Sequence, residues 1–168
     1  MLEFNLPQAI GIIAFVIGAS AFLHQDGRKF RIHLTVFQIV LCAHLMLMGA
    51  VAAAIGCGIS AIRSYVSSRT QSSLVMWFFI GLLWAMGLPN IERSYEILTI
   101  LGASVATWSL FKAQGIRMRL LILFNSCCWL THNLLLGSAG GTLIELTFIL
   151  VNLFTIYKMH RSIKQLSV

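Results

Sequence analysis

Residues 125–147, NSCCWLTHNLLLGSAGGTLIELT, decide the fold. The stretch predicts two apolar helices joined by a turn at residues 137–141, GSAGG, because glycine most easily lets a chain reverse. His132 lies seven residues before the middle of that turn and Glu145 six residues after it, which is nearly the same distance. In an antiparallel hairpin they should therefore lie at the same depth, near enough to pair. Glu145 is the only acidic residue in the interior of an apolar run, which makes it a candidate functional residue.

The composition is that of an integral membrane protein. Of the 168 residues, 58% are hydrophobic and 10% are charged, whereas about 25% are charged in an ordinary soluble domain. The net charge is +7, but the basic residues lie in short breaks between apolar runs and form no nucleic-acid motif. Their expected partners are anionic lipid headgroups and not nucleic acid. The four cysteines show no ligand spacing, so no metal, cofactor or disulfide framework is predicted.

Seven apolar segments follow one another along the chain. In lipid each must be a helix, because a single spanning segment has no other way to pair its backbone groups. They cover residues 8–23, 32–48, 51–66, 73–88, 95–111, 119–136 and 140–157. The second and third segments nearly touch, as do the sixth and seventh. Gly49 and Gly137 at these two junctions favour hairpins over long single helices.

The basic residues predict the orientation of the chain. With seven spans, every lysine and arginine except Arg93 lies on one side of the membrane. Lysine and arginine concentrate in cytoplasmic loops. The sequence therefore predicts an N-terminus outside the cytoplasm and a cytoplasmic C-terminus.

The first three and last three segments form an internal repeat. A shift of 88 residues aligns them without a gap and places His44 on His132 and Gly49 on Gly137. The fourth segment is then a single linker span, which gives the two three-helix units the same orientation. Parallel repeats of this kind occur in transporters.

The predicted fold is all-α, a polytopic membrane protein with seven transmembrane helices in a 3+1+3 arrangement of two parallel triple-helix bundles. The first bundle covers residues 1–70 and the linker helix residues 71–92. The second bundle, with a short cytoplasmic tail, covers residues 93–168.

Distinctive stretches occur at residues 61–70 (AIRSYVSSRT), 127–133 (CCWLTHN) and 137–145 (GSAGGTLIE). Through them the chain resembles the YgjV-type bacterial inner membrane proteins over nearly its whole length. This resemblance implies the inner membrane of a bacterium, and the distribution of basic residues then predicts a periplasmic N-terminus.

The 3+1+3 plan more distantly resembles the SWEET, SemiSWEET and PQ-loop transporters, which move sugars or other small solutes by alternating access. Their repeats carry a pocket Trp and, sixteen positions later, a pocket Asn. Trp129 matches the Trp, Glu145 stands at the Asn position, and His132 falls where sugar transporters often have Tyr. Leu41 and Cys57 occupy the Trp and Asn positions of the first repeat. The Pro-Gln hinge is missing, and Glu in place of Asn favours a cationic or proton-coupled ligand over sugar.

Polar residues of the apolar segments form the candidate cavity, expected between the two bundles. On the sixth segment four of them share one helical face by i, i+3, i+4 spacing. Hydrogen bonding between helices is the alternative role for such residues. The candidate substrate-binding residues are Asn125, Trp129, His132, Asn133, Glu145, Asn152, His44, Cys57 and Gln38.

The expected function is transport of a small solute, a sugar or another metabolite, with or without proton coupling. No catalytic motif is present, so an enzyme is not expected. A non-transporting binding or regulatory protein that keeps the fold is the alternative, and the missing hinge prolines favour it. The expected partners are the lipid bilayer and an unknown small solute, and the sequence is compatible with a homo-oligomer.

Overall fold

The chain folds into helices, in a computed structural model that describes residues 6–47, 51–91, 93–136 and 139–166. These ranges contain seven α-helices and two 3₁₀ turns, Leu88–Asn90 and Ser94–Glu96, and no strand occurs among them. The helices are α1 (Leu6–Phe22), α2 (Gly27–Leu47), α3 (Val51–Arg69), α4 (Ser73–Gly87), α5 (Ile97–Lys112), α6 (Gly115–Leu136) and α7 (Ala139–Leu166). The predicted all-α class is confirmed for these ranges.

The helices group into two compact units, residues 1–69 and residues 70–168. In the first unit α2 packs against both α1 and α3. In the second unit α6 packs against both α5 and α7, and α4 packs against α5. The middle helix of each three therefore has two neighbours to contact. The 3+1+3 arrangement with α4 as a linker stays a prediction.

Several helices extend beyond the apolar segments that predicted them. α2 begins at Gly27 and not near residue 32, α6 begins at Gly115 and not near residue 119, and α7 runs on to Leu166. Hydropathy marks only the apolar part of a helix. The helix itself continues for as long as its backbone groups are paired and its ends are capped.

Asp26 explains the early start of α2. Its carboxylate accepts a hydrogen bond of 2.7 Å from the backbone N–H of Lys29, the arrangement of a helix N-cap. This hydrogen bond lowers the pKa of the Asp26 carboxyl. The ionised side chain also faces the positive end of the helix dipole. A polar sequence can therefore begin the helix.

The turn between α6 and α7 is shorter than predicted. Residues 139–141 form the first turn of α7 and are not part of a loop. A Cβ atom on Gly141 would lie 2.8 Å from Cγ of Asn133 on α6. Glycine is needed there for the close approach of two helices and not for chain reversal. Gly49 and Gly137, predicted as turn residues, lie outside the described residues.

Large apolar side chains cover the surface of the helices, while many polar side chains are buried. Leu74 is 80% exposed, and Leu143 and Leu150 are each 66% exposed. The buried polar and charged residues are Arg31, Thr35, Gln38, Arg63, Ser64, Ser67, Thr107, Ser109, Arg119, Ser126, Asn152 and Thr155. Such an apolar surface is unfavourable in water, whereas in lipid it is favourable and polar groups bond between helices.

Two described helices are long and apolar enough by themselves to cross a bilayer, at Gly27–Leu47 and Gly141–Gln165. Shorter apolar helices cover Ala9–Phe22 and Ser73–Gly87. A hydrocarbon core of about 30 Å needs roughly 20 helical residues, and α4 has 15. The number of spans therefore stays a prediction.

The 88-residue repeat of the sequence is also a repeat of burial. Most buried positions among residues 6–69 are buried again 88 positions later. The matched positions are Ala14 and Gly102, Gly18 and Ala106, Ala21 and Ser109, Phe22 and Leu110, Phe30 and Met118, Arg31 and Arg119, Leu34 and Ile122, Gln38 and Ser126, Ser64 and Asn152, and Ser67 and Thr155. Residue types differ within most matches. The two units thus repeat the positions that are buried more closely than they repeat the residue types at those positions.

Candidate functional site

Glu145 and Asn152 lie on the face of α7 that packs against α6, and we refer to this contact as the α6–α7 seam. Asn152 Nδ2 donates a hydrogen bond of 3.0 Å to the backbone carbonyl of Arg119. The Ser126 hydroxyl donates a hydrogen bond to the Glu145 carboxyl. These two contacts are seven residues apart on each helix, or about 10.5 Å. A spacing of seven is typical of antiparallel helices that keep one face in contact.

Glu145 is therefore opposite Ser126 and does not pair directly with His132, whereas a contact with His132 through one water, the other form of the prediction, stays a prediction. His132 is six residues beyond Ser126 on α6, about 9 Å along the helix. Ten residues separate Ser126 from the end of α6 at Leu136, whereas six separate Glu145 from the start of α7. Counting equal distances from the turn gives equal depth only if both helices end at the same height. Here α6 reaches about 6 Å further than α7.

His132 lies among aromatic side chains. Its ring centroid is 5.7 Å from that of Trp129 and 5.7 Å from that of Tyr95, and both contacts are edge-to-face. Tyr95 belongs to the 3₁₀ turn that precedes α5. Nδ1 of His132 is buried and has no hydrogen-bond partner in the described protein. This nitrogen is available to water or to a ligand.

The polar stripe predicted on α6 faces two different helices. Asn125 lies against α5, where a Cβ on Gly102 would be 3.1 Å from Asn125 Oδ1. Asn133 lies against Gly141 of α7. The stripe reaches both neighbours because α6 is the middle helix of its three. The two asparagines therefore do not line one surface.

Buried acceptor atoms follow one another along the α6–α7 seam. Glu145 Oε2 and Asn152 Oδ1 are buried without a hydrogen-bond partner in the described protein. His132 Nδ1, which accepts in one of its tautomers, is a third such atom on α6, but it lies beside Tyr95 and Trp129 and not at the contact of Ser126 with Glu145. Buried polar atoms are nearly always satisfied, and inside a bilayer they must be satisfied by protein or by what it encloses. The arrangement can hold water, a proton or a solute that donates hydrogen bonds.

Gln38 and His44 lie in the first unit, on α2. Gln38 is buried, and its Oε1 accepts a hydrogen bond of 2.9 Å from Ser64 of α3. His44 Nδ1 is 2.7 Å from the carbonyl oxygen of Pro7 in α1. His44 therefore ties two helices together through the ring nitrogen that is unsatisfied in His132, its counterpart in the repeat.

Cys57 on α3 is a free, half-buried thiol near Cys42 and Arg63. It occupies the repeat position of Glu145, so the first unit has a neutral group where the second unit has a carboxyl. Among the described parts of the chain, no three His, Cys, Asp or Glu side chains gather as possible metal ligands.

Ser126 and Tyr95 are site residues that sequence reasoning missed. Ser126 is 2% exposed. The internal repeat could have identified it, because it stands 88 residues after the candidate Gln38. Tyr95 carries no comparable signal. It precedes α5 in a 3₁₀ turn, outside any helical stripe.

Comparisons with known proteins place the chain in a family. The model of the family Imp-YgjV, described as "Bacterial inner membrane protein", matches residues 5–163. The chain is 38% identical over 165 residues to "Inner membrane protein YgjV" of Escherichia coli (strain K12), and the alignment covers 98% of this chain and 90% of that protein. No solved structure matches the chain. The chain therefore belongs to the YgjV family of bacterial inner membrane proteins.

Proposed function

We propose that this inner-membrane protein transports a small polar solute by alternating access along the α6–α7 seam. The observation that carries the proposal is Glu145, whose Oε2 is buried without a protein partner beside Ser126. An ionisable group within a membrane helix is costly, and such groups mark the pathways of solutes, ions or protons. The proposal assigns no catalytic step to the protein.

The proposal includes seven spans in a 3+1+3 arrangement, as in SWEET-like transporters. The repeated burial pattern supports two equivalent three-helix units, and the exposed apolar side chains support contact with lipid. The distribution of basic residues supports a periplasmic N-terminus and a cytoplasmic C-terminus.

Epitope tags at the two ends test this topology. Protease added to intact spheroplasts should remove an N-terminal tag and leave a C-terminal tag until the membrane is opened. Removal or protection of both tags together would contradict an odd number of spans.

Accessibility of Ser126 tests transport without knowledge of the solute. The probe is Ser126→Cys, a change of little more than oxygen to sulfur, in a protein whose four native cysteines are replaced by alanine. Alternating access predicts that a membrane-impermeant methanethiosulfonate reagent modifies this thiol from the periplasmic side in spheroplasts and from the cytoplasmic side in inverted vesicles. Leu150→Cys, on the exposed face of α7, is the matched control and should react from neither side.

Modification of Ser126→Cys from one side only, or from neither, would contradict alternating access. It would favour the second candidate, a binding or regulatory protein that keeps the fold. The positions of the prolines favour that candidate, because Pro7 stands at the start of α1 and Pro89 in the 3₁₀ turn after α4. Neither lies in the middle of a helix, where proline produces a kink.

A further inference from the structure

Glu145 has no cationic partner in the described part of the protein. Its carboxyl is bonded to the Ser126 hydroxyl, Oε2 is buried without a partner, and no described basic side chain forms an ion pair with it. His132, the nearest basic candidate in the hairpin, contacts Trp129 and Tyr95 instead. When this carboxylate is ionised, none of the described basic side chains pairs with it, so a cation from outside the chain is stabilised at this position.

The chemistry of the seam selects a cation that donates hydrogen bonds. Glu145 Oε2 and Asn152 Oδ1 are both acceptors without donors. An ammonium group offers donors and positive charge and has no acceptor. Trp129 lies three residues from Ser126 on the same side of α6, about one helical turn away. Aromatic rings attract organic cations. A neutral sugar would leave the charge of Glu145 uncompensated.

The first unit indicates that packing does not require this carboxyl. At the repeat positions of Ser126 and Glu145 it has Gln38 and Cys57. In its α2–α3 contact, Ser64 donates a hydrogen bond to Gln38. The same helix pair thus packs with neutral groups, and Glu145 needs an explanation other than helix association.

We propose that the solute is a protonated organic amine whose ammonium group donates a hydrogen bond to Glu145 Oε2. The inference rests on the proposed function, because it names the class of solute that the α6–α7 seam carries. The alkyl or aryl part of the amine lies toward Trp129. The hydroxyl of Ser126 holds the other carboxyl oxygen in place.

Binding of matched probes tests the inference. The protein in lipid nanodiscs is titrated with benzylamine and with benzyl alcohol, which has a similar shape and no charge, and the shift of thermal unfolding gives each apparent affinity. A charge-assisted hydrogen bond in a buried site predicts an affinity for the amine at least about tenfold higher. Glu145→Gln should abolish this preference. Asp26→Asn, which removes a carboxylate at the exposed start of α2, should leave it unchanged.

Glu145→Asp keeps the charge on a shorter side chain and separates loss of charge from loss of folding. It should keep the preference for the amine at reduced affinity. Equal affinities for amine and alcohol in the native protein, or a preference that survives Glu145→Gln, would overturn the inference.

The transport proposal fails on different observations. Flux of an uncharged solute that benzylamine does not inhibit would overturn the amine inference and leave transport standing. One-sided labelling of Ser126→Cys, together with an amine preference that depends on Glu145, would overturn transport and leave the amine site standing.

Discussion

Replacement of Gly102 by alanine should force α5 and α6 apart at the level of the candidate site. A Cβ atom at position 102 would lie 2.9 Å from Cys128 Cβ and 3.1 Å from Asn125 Oδ1. Because a Cβ atom is fixed to its backbone, Cys128 cannot rotate away. Ordinary contact begins near 3.4 Å, so α6 itself must shift by about half an ångström or more.

The expected cost is that of an overpacked core, about 1–3 kcal/mol of unfolding free energy. Alanine also favours the helix by up to about 1 kcal/mol relative to glycine, and this gain must be separated from the packing cost. Gly81→Ala in α4 is the matched control, because nothing lies within 4 Å of a Cβ at that position. The packing cost is the difference between the two variants, measured by denaturant titration in mixed micelles.

The displacement should also be visible at the site. Ser126 lies between Asn125 and Cys128 in sequence, so a shift of α6 should change the labelling rate of Ser126→Cys in the Gly102→Ala background and not in the Gly81→Ala background. Equal unfolding free energies for the two glycine variants would refute the close α5–α6 approach on which this reasoning depends.

Three smaller effects should be measurable at helix ends and in the seam. Gly115 begins α6 with φ of 57° and has open space around it, so Gly115→Ala should cost about 1 kcal/mol of unfolding free energy through the backbone alone, and Gly115→Asn less. Asp26→Ala should cost about 1 kcal/mol by loss of the N-cap. The pKa of Asp26 is lowered in the folded protein. The native protein should therefore have a higher unfolding free energy than Asp26→Asn at neutral pH, and this difference should disappear as the pH falls through that pKa. Asn152→Leu should change the unfolding free energy by less than about 1 kcal/mol, since it removes one interhelical hydrogen bond worth about 0.6 kcal/mol together with an unsatisfied oxygen; a much larger loss would show that Oδ1 has a bound partner.

Hydropathy predicted the number of helices and missed their ends. Seven apolar segments correspond to seven helices in the described ranges, because a helix pairs the backbone groups of an apolar run within that run. The polar starts of α2 and α6 carry no apolar signal. α2 depends on the cap at Asp26, and α6 on the positive φ of Gly115.

The sequence identified Glu145 as a candidate site residue but did not predict which residue lies opposite it. Glu145 stood out because a carboxyl is rare among apolar residues. Its partner depends on the relative height of α6 and α7, which counting from the turn does not provide. Ser126, and not His132, lies opposite Glu145 because α6 is shifted along its axis by six residues from the predicted alignment. The sequence alone does not determine that shift.

Comparison of the two repeats separates what the fold needs from what the site needs. His44 is fixed by the carbonyl of Pro7, whereas Nδ1 of His132 is buried without a partner. Gln38 is satisfied by Ser64, whereas Ser126 holds a carboxyl whose second oxygen is unsatisfied. In both comparisons the polar atom of the first unit has a hydrogen-bond partner in the protein, and a polar atom of the second unit has none. Under the proposed function, the polar atoms that a solute can satisfy therefore belong to the second unit, whereas the matching residues of the first unit bond to other parts of the protein.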